Sequence, residues 1–472
     1  MKTKSSRPVR RSLGKDGGAG DGQGLEGDSG EDRGMSSSNG KAPSWQTERL
    51  GSLAQVKGGK RLPKGEKLLT EPTPFPYIRV CDFNAFSVDL SDIQYLTPEI
   101  QEKISRYIIT KEDVFISIAG TIGRVGTIPE SLDGANLTEN AARVVLERDG
   151  SLDKEFLKYC LASPEIQQDI ASRRSKNAQP KLALAQIKDL EISLPPLPEQ
   201  KKIAHILSTV QRAIEAQERV IQTTTELKKA LMHKLFTEGL RNEPQKQTEI
   251  GPVPESWEVV ELGSLAKVGN GSTPKRANEA YWEGGIIPWL NSTKIHDRFI
   301  TEADQFVTPQ AVKECHLPKV APNSLLIAIT GQGKTLGNSA ITRIETCINQ
   351  HLAYAQFHTA KIVPDFVLWF MQTRYDYLRS IAHGGGSTKG ALTCGFLKTL
   401  PIPVPATDEQ KEIVTVFKTL EDKQGSATSK QAVLQGLFRT LLHELMTAKT
   451  RVNHLNIAAA KPGASNHERS QS

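Results

Sequence analysis

The stretch Ala328-Ile329-Thr330-Gly331-Gln332-Gly333-Lys334-Thr335 fits the loose pattern of a phosphate loop, in which backbone N–H groups and a lysine cradle nucleotide phosphates. The residues after it do not fit. A working loop of that kind opens a helix, whose N-terminus completes the anion site, whereas Leu336-Gly337-Asn338-Ser339-Ala340-Ile341 reads as a turn entering a strand. The related stretch Ile118-Ala119-Gly120-Thr121-Ile122-Gly123 has the turn without the lysine, so both are expected to be glycine-rich hairpins. The chain contains no nucleophile elbow, no His-Glu-x-x-His, no dinucleotide fingerprint after a strand and no Asn/Asp-Pro-Pro-aromatic signature of amino methyltransferases. Pro195-Pro196 lies in Leu-Pro-Pro-Leu and serves to stop a strand. Cys81, Cys160, Cys315, Cys347 and Cys394 are scattered and never form Cys-x-x-Cys, which argues for reduced thiols over a disulfide framework or zinc site. His233 and His443 fall near helix C-termini, where a cap hydrogen bond is the ordinary role. No catalytic or metal site is expected.

The chemistry that remains is binding. Lys and Arg number 60 against 53 Asp and Glu, a net charge of +7 that favours a polyanionic partner such as double-stranded DNA. Lysine and arginine hold phosphates, while arginine, asparagine and glutamine can read base edges through paired hydrogen bonds. On that basis the candidate DNA contacts are Arg79, Arg124, Arg173, Arg174 and Lys176 in one part of the chain, and Lys275, Arg276, Asn291, Lys294 and Lys334 in another. Tyr77, Trp289, Tyr159 and Trp369 sit in apolar surroundings and read as core.

These residues fall into an internal repeat with a period of about 210 residues. Ser44-Trp45 and Leu50-Gly51-Ser52-Leu53-Ala54 return as Ser256-Trp257 and Leu262-Gly263-Ser264-Leu265-Ala266. Glu199-Gln200-Lys201-Lys202-Ile203 returns as Glu409-Gln410-Lys411-Glu412-Ile413, and His233-Lys234-Leu235 as His443-Glu444-Leu445. A repeat this long is a whole domain with an appended element. The expected class is α+β: two tandem mixed α/β recognition domains, 43–198 and 255–408, each followed by a long helix, 199–237 and 409–447. Residues 1–42 and 448–472 are polar and expected to be loose, and 238–254 to be an exposed linker.

Proline clusters mark both helix entrances. A 3.5-residue spacing places Ile203, Leu207, Val210, Ile214, Ile221, Leu231 and Leu235 on one stripe of the first helix. The equivalent stripe of the second holds Ile413, Phe417, Leu420, Leu434, Phe438, Leu441 and Leu445, with a polar gap at Gln424-Gly425-Ser426 where a kink or fraying is expected. Helices of about 55 Å exceed what one domain needs and point to a spacer made of an antiparallel coiled coil. No apolar run approaches a membrane span, and the basic start leads into Gly and Asp instead of a signal-peptide core, so a cytoplasmic location is expected.

The order of domain, helix, domain, helix from about Trp45 to Thr447 resembles the specificity subunits of type I restriction–modification systems. The most family-like stretches are Leu194-Pro195-Pro196-Leu197-Pro198-Glu199-Gln200-Lys201-Lys202-Ile203-Ala204, Ile250-Gly251-Pro252-Val253-Pro254-Glu255-Ser256-Trp257 and Gly386-Ser387-Thr388-Lys389. The resemblance implies a non-catalytic chain whose two domains each read one half of a bipartite, asymmetric DNA site. It implies two modification subunits docked on the helices, carrying S-adenosylmethionine and the adenine methyltransferase site, and restriction subunits adding ATP- and Mg-dependent translocation and cleavage. Apolar residues off the stripe, such as Ile206, Val220, Leu227 and Met232, are the expected docking contacts. Two other readings use the same residues: a chain that fuses the enzyme to the recognition domains, which the missing motifs oppose, and a coiled-coil adaptor without sequence readout, which the loop cations oppose.

Overall fold

Residues 114–117 and 325–328 are runs of four with no exposed side chain, and such runs need cover on both faces. In the computed structural model, which describes residues 45–147, 150–173, 180–331, 333–383 and 390–456, each becomes an inner strand of a sheet. Met1–Trp45 form a separate unit, of which Trp45 alone is described. In the first half, Val114–Ser117 lies between Ala141–Leu146 and Val125–Thr127, with Ala54–Gly58 at the edge. In the second, Leu325–Ala328 lies between Leu352–Phe357 and Ser339–Thr342, with Ala266–Asn270 at one edge and Phe299–Ile300 at the other. A smaller sheet accompanies each, built around Pro76–Ile78 and Ile287–Leu290. The glycine-rich segment after Ala328 is the turn between antiparallel strands and leads into no helix. Tyr77, Trp289, Tyr159 and Trp369 are all buried.

The long helices run Leu197–Thr237 and Thr407–Met446, with prolines at the entrance of the first and before the second. A fully buried glutamine fastens each helix start to its own globular half. Asp153 N donates to Gln200 Oε1 at 2.8 Å, while Gln200 Nε2 donates to the carbonyls of Ser151 and Pro195. Gln410 repeats this with Val363 N and the carbonyls of Lys361 and Pro405. The preceding glutamate, also buried, fastens the same helix start to the chain that follows the other helix. Glu199 accepts from Arg451 and from Val452 N, and Glu409 accepts from Leu240 N and Trp257 Nε1.

Contacts between the helices pair rising with falling residue numbers: Gln424 Nε2 donates to Thr225 Oγ1 at 3.0 Å, Lys228 Nζ to Glu421 Oε1 at 2.8 Å, and Phe236 stacks on Phe417. Ile203, Leu207, Ile214, Leu235, Ile413, Phe417, Phe438 and Leu445 are buried, and Val210, Ile221, Leu231, Leu420, Leu434 and Leu441 are half-buried. At two turns the neighbouring residue, Gln211 or Leu442, takes the buried place, as a 3.6-residue helix drifts from a strict 3.5 spacing. Three sequence expectations need correction. The polar middle of the second helix does not fray but runs on as helix, where Ala427 is buried and Gln424 and Glu421 bond the first helix. The linker is instead an ordered hairpin, Gln245–Thr248 with Gly251–Pro254, seated by buried Val253 and by Arg374 donating to Ile250 O. The tail is tied down at Arg451 and Val452, and 457–472 lie outside the described residues.

Candidate functional site

Several of the cations and amides singled out from the sequence spend their polar groups locally. Arg79 stands at the N-terminus of a short helix, donating to Asp82 at 2.6 Å and to Asp92, and its hydrogen bonds to Asp82 raise its pKa. At the equivalent place Asn291 caps with its side chain accepting from Thr293 N. Lys294 pairs with Asp297 and Asp304, and Arg173 with Asp169. Arg174 and Lys176 lie outside the described residues, as do Ser387, Thr388 and Lys389. The remaining four are exposed. Arg124 donates to Phe83 O, Arg276 lies 3.8 Å from the Trp282 ring centroid and donates to Gln305, and Lys275 and Lys334 stand on turns. The structure does not gather them into one cluster.

What it does gather had no signal in residue type. In the first half the backbone between the sheets is pinned at three points: Gly59 N to Ala141 O, Lys60 N to Leu137 O, and Lys60 O to the Tyr77 hydroxyl. In the second half Gly271 N bonds Leu352 O, Ser272 N bonds Ile348 O, and Ser272 O accepts from Trp289 Nε1. The two glycines are dictated by space, since a Cβ on Gly59 would stand 2.1 Å from Thr138 O and one on Gly271 1.9 Å from Ile348 O. A second pinned segment faces each turn, through the bridges Ala119 to Lys181 and Thr330 to Ala391.

Onto this shared scaffold the halves place different side chains. The first displays Arg61, whose Nε donates to Glu139 at 2.6 Å, with Asn140 and Lys181 around a cleft of about 630 Å³. Partial burial pushes the Glu139 carboxyl up, but the bonds from Arg61 and its surroundings bring it below the usual range. The second displays Thr273 bonded to Gln350, and His351 bonded to Thr330 and Gln350. Arg61 and Thr273 stand in corresponding places, as do Glu139 and Gln350, Asn140 and His351, and Ala119 and Thr330. Apart from Ala119, all carry donor or acceptor groups at a solvent-facing rim. Their chemistry suits hydrogen-bonded recognition: arginine matches guanine edges, glutamate cytosine and glutamine adenine. The sequence signal that would have found them is the pair Gly59 and Gly271, close to the repeat offset but 212 residues apart, each followed two residues later by a polar side chain.

Comparison with known proteins agrees with the repeat. The family model for the type I restriction modification DNA specificity domain matches twice, over 43–224 and 254–435. The chain is 26% identical over 423 residues to a putative type I restriction enzyme MjaX specificity subunit of Methanocaldococcus jannaschii, covering 86% of this chain and 94% of that one. It is 32% identical over 126 residues, 27% of this chain and 26% of the other, to the EcoBI specificity subunit of Escherichia coli. The fold is similar to that of the S subunit of a type I restriction-modification system from M. genitalium, with a TM-score of 0.55 at 18% identity, covering 86% and 97% of the chains. Among the described residues no helix is long and apolar enough to cross a membrane.

Proposed function

As the chain belongs to the type I restriction–modification DNA specificity family, we propose that each globular half reads one half of a bipartite, asymmetric sequence in double-stranded DNA. The long helices pair as an antiparallel coiled coil whose length sets the unread spacer. One observation carries the reading: two backbone scaffolds alike in their hydrogen bonds present Arg61, Glu139, Asn140 and Lys181 in one half and Thr273, Gln350, His351 and Thr330 in the other. Equal scaffolds with unequal donor and acceptor sets are what two unequal half-sequences need.

Two modification subunits dock along the helices and supply S-adenosylmethionine and the methyltransferase site; restriction subunits supply the ATP- and Mg-dependent steps. The apolar side chains available for that docking are Leu227, Val433 and Leu437, at 46, 72 and 45% exposure, with Ile206 and Val220 half-exposed. Met232 instead packs against the core of the second half. The test is selection from a randomised duplex pool by the full chain with its modification subunits at one controlled salt concentration, because phosphate contacts make affinity strongly salt-dependent. Two different short half-sites at one fixed separation are expected. Arg61→Ala should relax one base pair of one half-site by about 1–3 kcal/mol and leave the other half-site untouched. A pool that emerges unenriched means an adaptor without sequence readout.

A further inference from the structure

The two globular halves meet the helix pair through joints built at corresponding positions from unlike chemistry. Phe86 and Arg298 correspond: Thr127 N donates to Phe86 O at 3.0 Å, and Ile341 N donates to Arg298 O at 2.9 Å. Tyr159 corresponds to Trp369, Gln211 to Glu421 and Phe438 to Lys228, each at the 210-residue offset of the repeat. In the first joint Phe86, Tyr159 and Phe438 form a triangle of rings with centroids 5.3, 5.7 and 5.9 Å apart, and Gln211 lines the same crevice. Phe86 reaches it from a left-handed backbone, φ 68°, which an unbranched Cβ tolerates only where packing repays the strain. In the second joint Glu421 pairs with both Lys228 and Arg298. Both cations lie over the Trp369 ring, 4.7 and 4.9 Å from its centroid.

We propose that Lys228, Arg298 and Glu421 are positioning residues that seat the second globular half on the helix pair through an ionic grip, at the place where the first half is seated by aromatic packing. Of the second joint's four groups, Lys228 comes from the first helix, Glu421 from the second, and Arg298 and Trp369 from the globular half, so the grip ties three bodies together. Each set is complete only with its own members. Arg298 set against Phe438 and Gln211 would lack a carboxylate, and Phe86 set against Lys228 and Glu421 would strip water from their ion pair without offering it a hydrogen bond. The inference rests on the proposed reading for its meaning, since the seating then fixes where the second half-site lies relative to the first. Its test does not depend on DNA.

Spin labels at Lys313→Cys in the second half and Thr223→Cys on the first helix, in a full chain carrying Cys81→Ser, Cys315→Ser and Cys394→Ser, report the seating as a distance distribution. Labels at Glu102→Cys and Thr223→Cys report the first half as the internal control. Arg298→Glu is expected to lose the single narrow distance of the second half and to leave that of the first. Arg298→Glu with Glu421→Arg is expected to restore it. So is the aromatic set Arg298→Phe, Glu421→Gln and Lys228→Phe, which copies the first joint. If Arg298→Glu does not fold, Arg298→Gln removes the charge without adding one and is compared in the same way. A single variant as narrow as the parent, or compensated variants as broad as the single one, overturns the proposal. With DNA, the same variants should scatter and then re-narrow the half-site separation; a parent chain that enriches no sequence defeats the reading of function and leaves the distances to decide the seating.

Discussion

At the scale of single residues, Gly59 and Gly271 hold the site by what they lack. Neither has a positive φ, so the demand is for room: Cβ atoms there would overlap the carbonyl oxygens of Thr138 and Ile348. Gly271→Ala must push the Ser272-Thr273 turn off its bonds to Ile348 O and Trp289 Nε1. A loss of about 1–3 kcal/mol is expected in chemical denaturation, as for other overpacked sites. Selection should blur the second half-site alone, and equal blurring of both would remove Thr273 from the reading surface. Lys228 gives a pH dependence. Burial first, and Arg298 second, push its ammonium down to about 8, since one carboxylate, Glu421, faces two cations over Trp369. The unfolded chain keeps that proton up to about 10.4, so between the two values it binds more protons than the folded chain and stability rises with pH. The gain is lost as the pH falls through 8. Melting curves of the parent should therefore rise relative to Lys228→Met between pH 7.5 and 9.5, and parallel curves would show that the proton is not where the geometry puts it.

At the scale of elements, the glutamines at the helix starts matter more than the exposed ion pairs near them. Gln410→Leu leaves Val363 N and the carbonyls of Lys361 and Pro405 without their buried partner, and a loss of about 2–4 kcal/mol is expected. Glu412→Ala breaks its pair with Arg241, where both side chains are about half exposed, and should fall within about 1 kcal/mol of the parent. The long helices were legible because proline punctuation and a spaced apolar stripe are local signals. The Gln245–Pro254 hairpin was not, since its proline and charge read as linker while the burial of Val253 comes from the neighbouring half. The candidate cleft around Arg61 and Glu139 was not legible for a similar reason. Arg61, Glu139 and Lys181 are distant in sequence, and between the halves their offset drifts from 210 to 212 as loops differ in length. Arg79 and Lys294 looked available by type, and nearby aspartates claim them.

At the scale of the whole molecule, the proposed function makes the helix pair a ruler, and the repeat gives that ruler a definable length. The two joints grip residues 211 and 438 at one end and 228 and 421 at the other, so they stand seventeen residues apart on each helix, 228 less 211 and 438 less 421. That is about 25 Å of helix. Seven residues added after Glu218 in the first helix and seven after Lys430 in the second lie between the joints on facing stretches. They return each apolar stripe to within about 20° of its former direction. The joints then separate by a further ~10 Å, which is about three base pairs of DNA. Both half-sequences should survive selection unchanged while the unread gap between them grows by that amount. An insertion in one helix alone cannot do this, because it shifts Gln424 from Thr225 and Glu421 from Lys228 and sets the stripes out of step. If the paired insertion leaves the gap as it was, the helices do not set the spacing, and the separation of half-sites must come from the docked subunits.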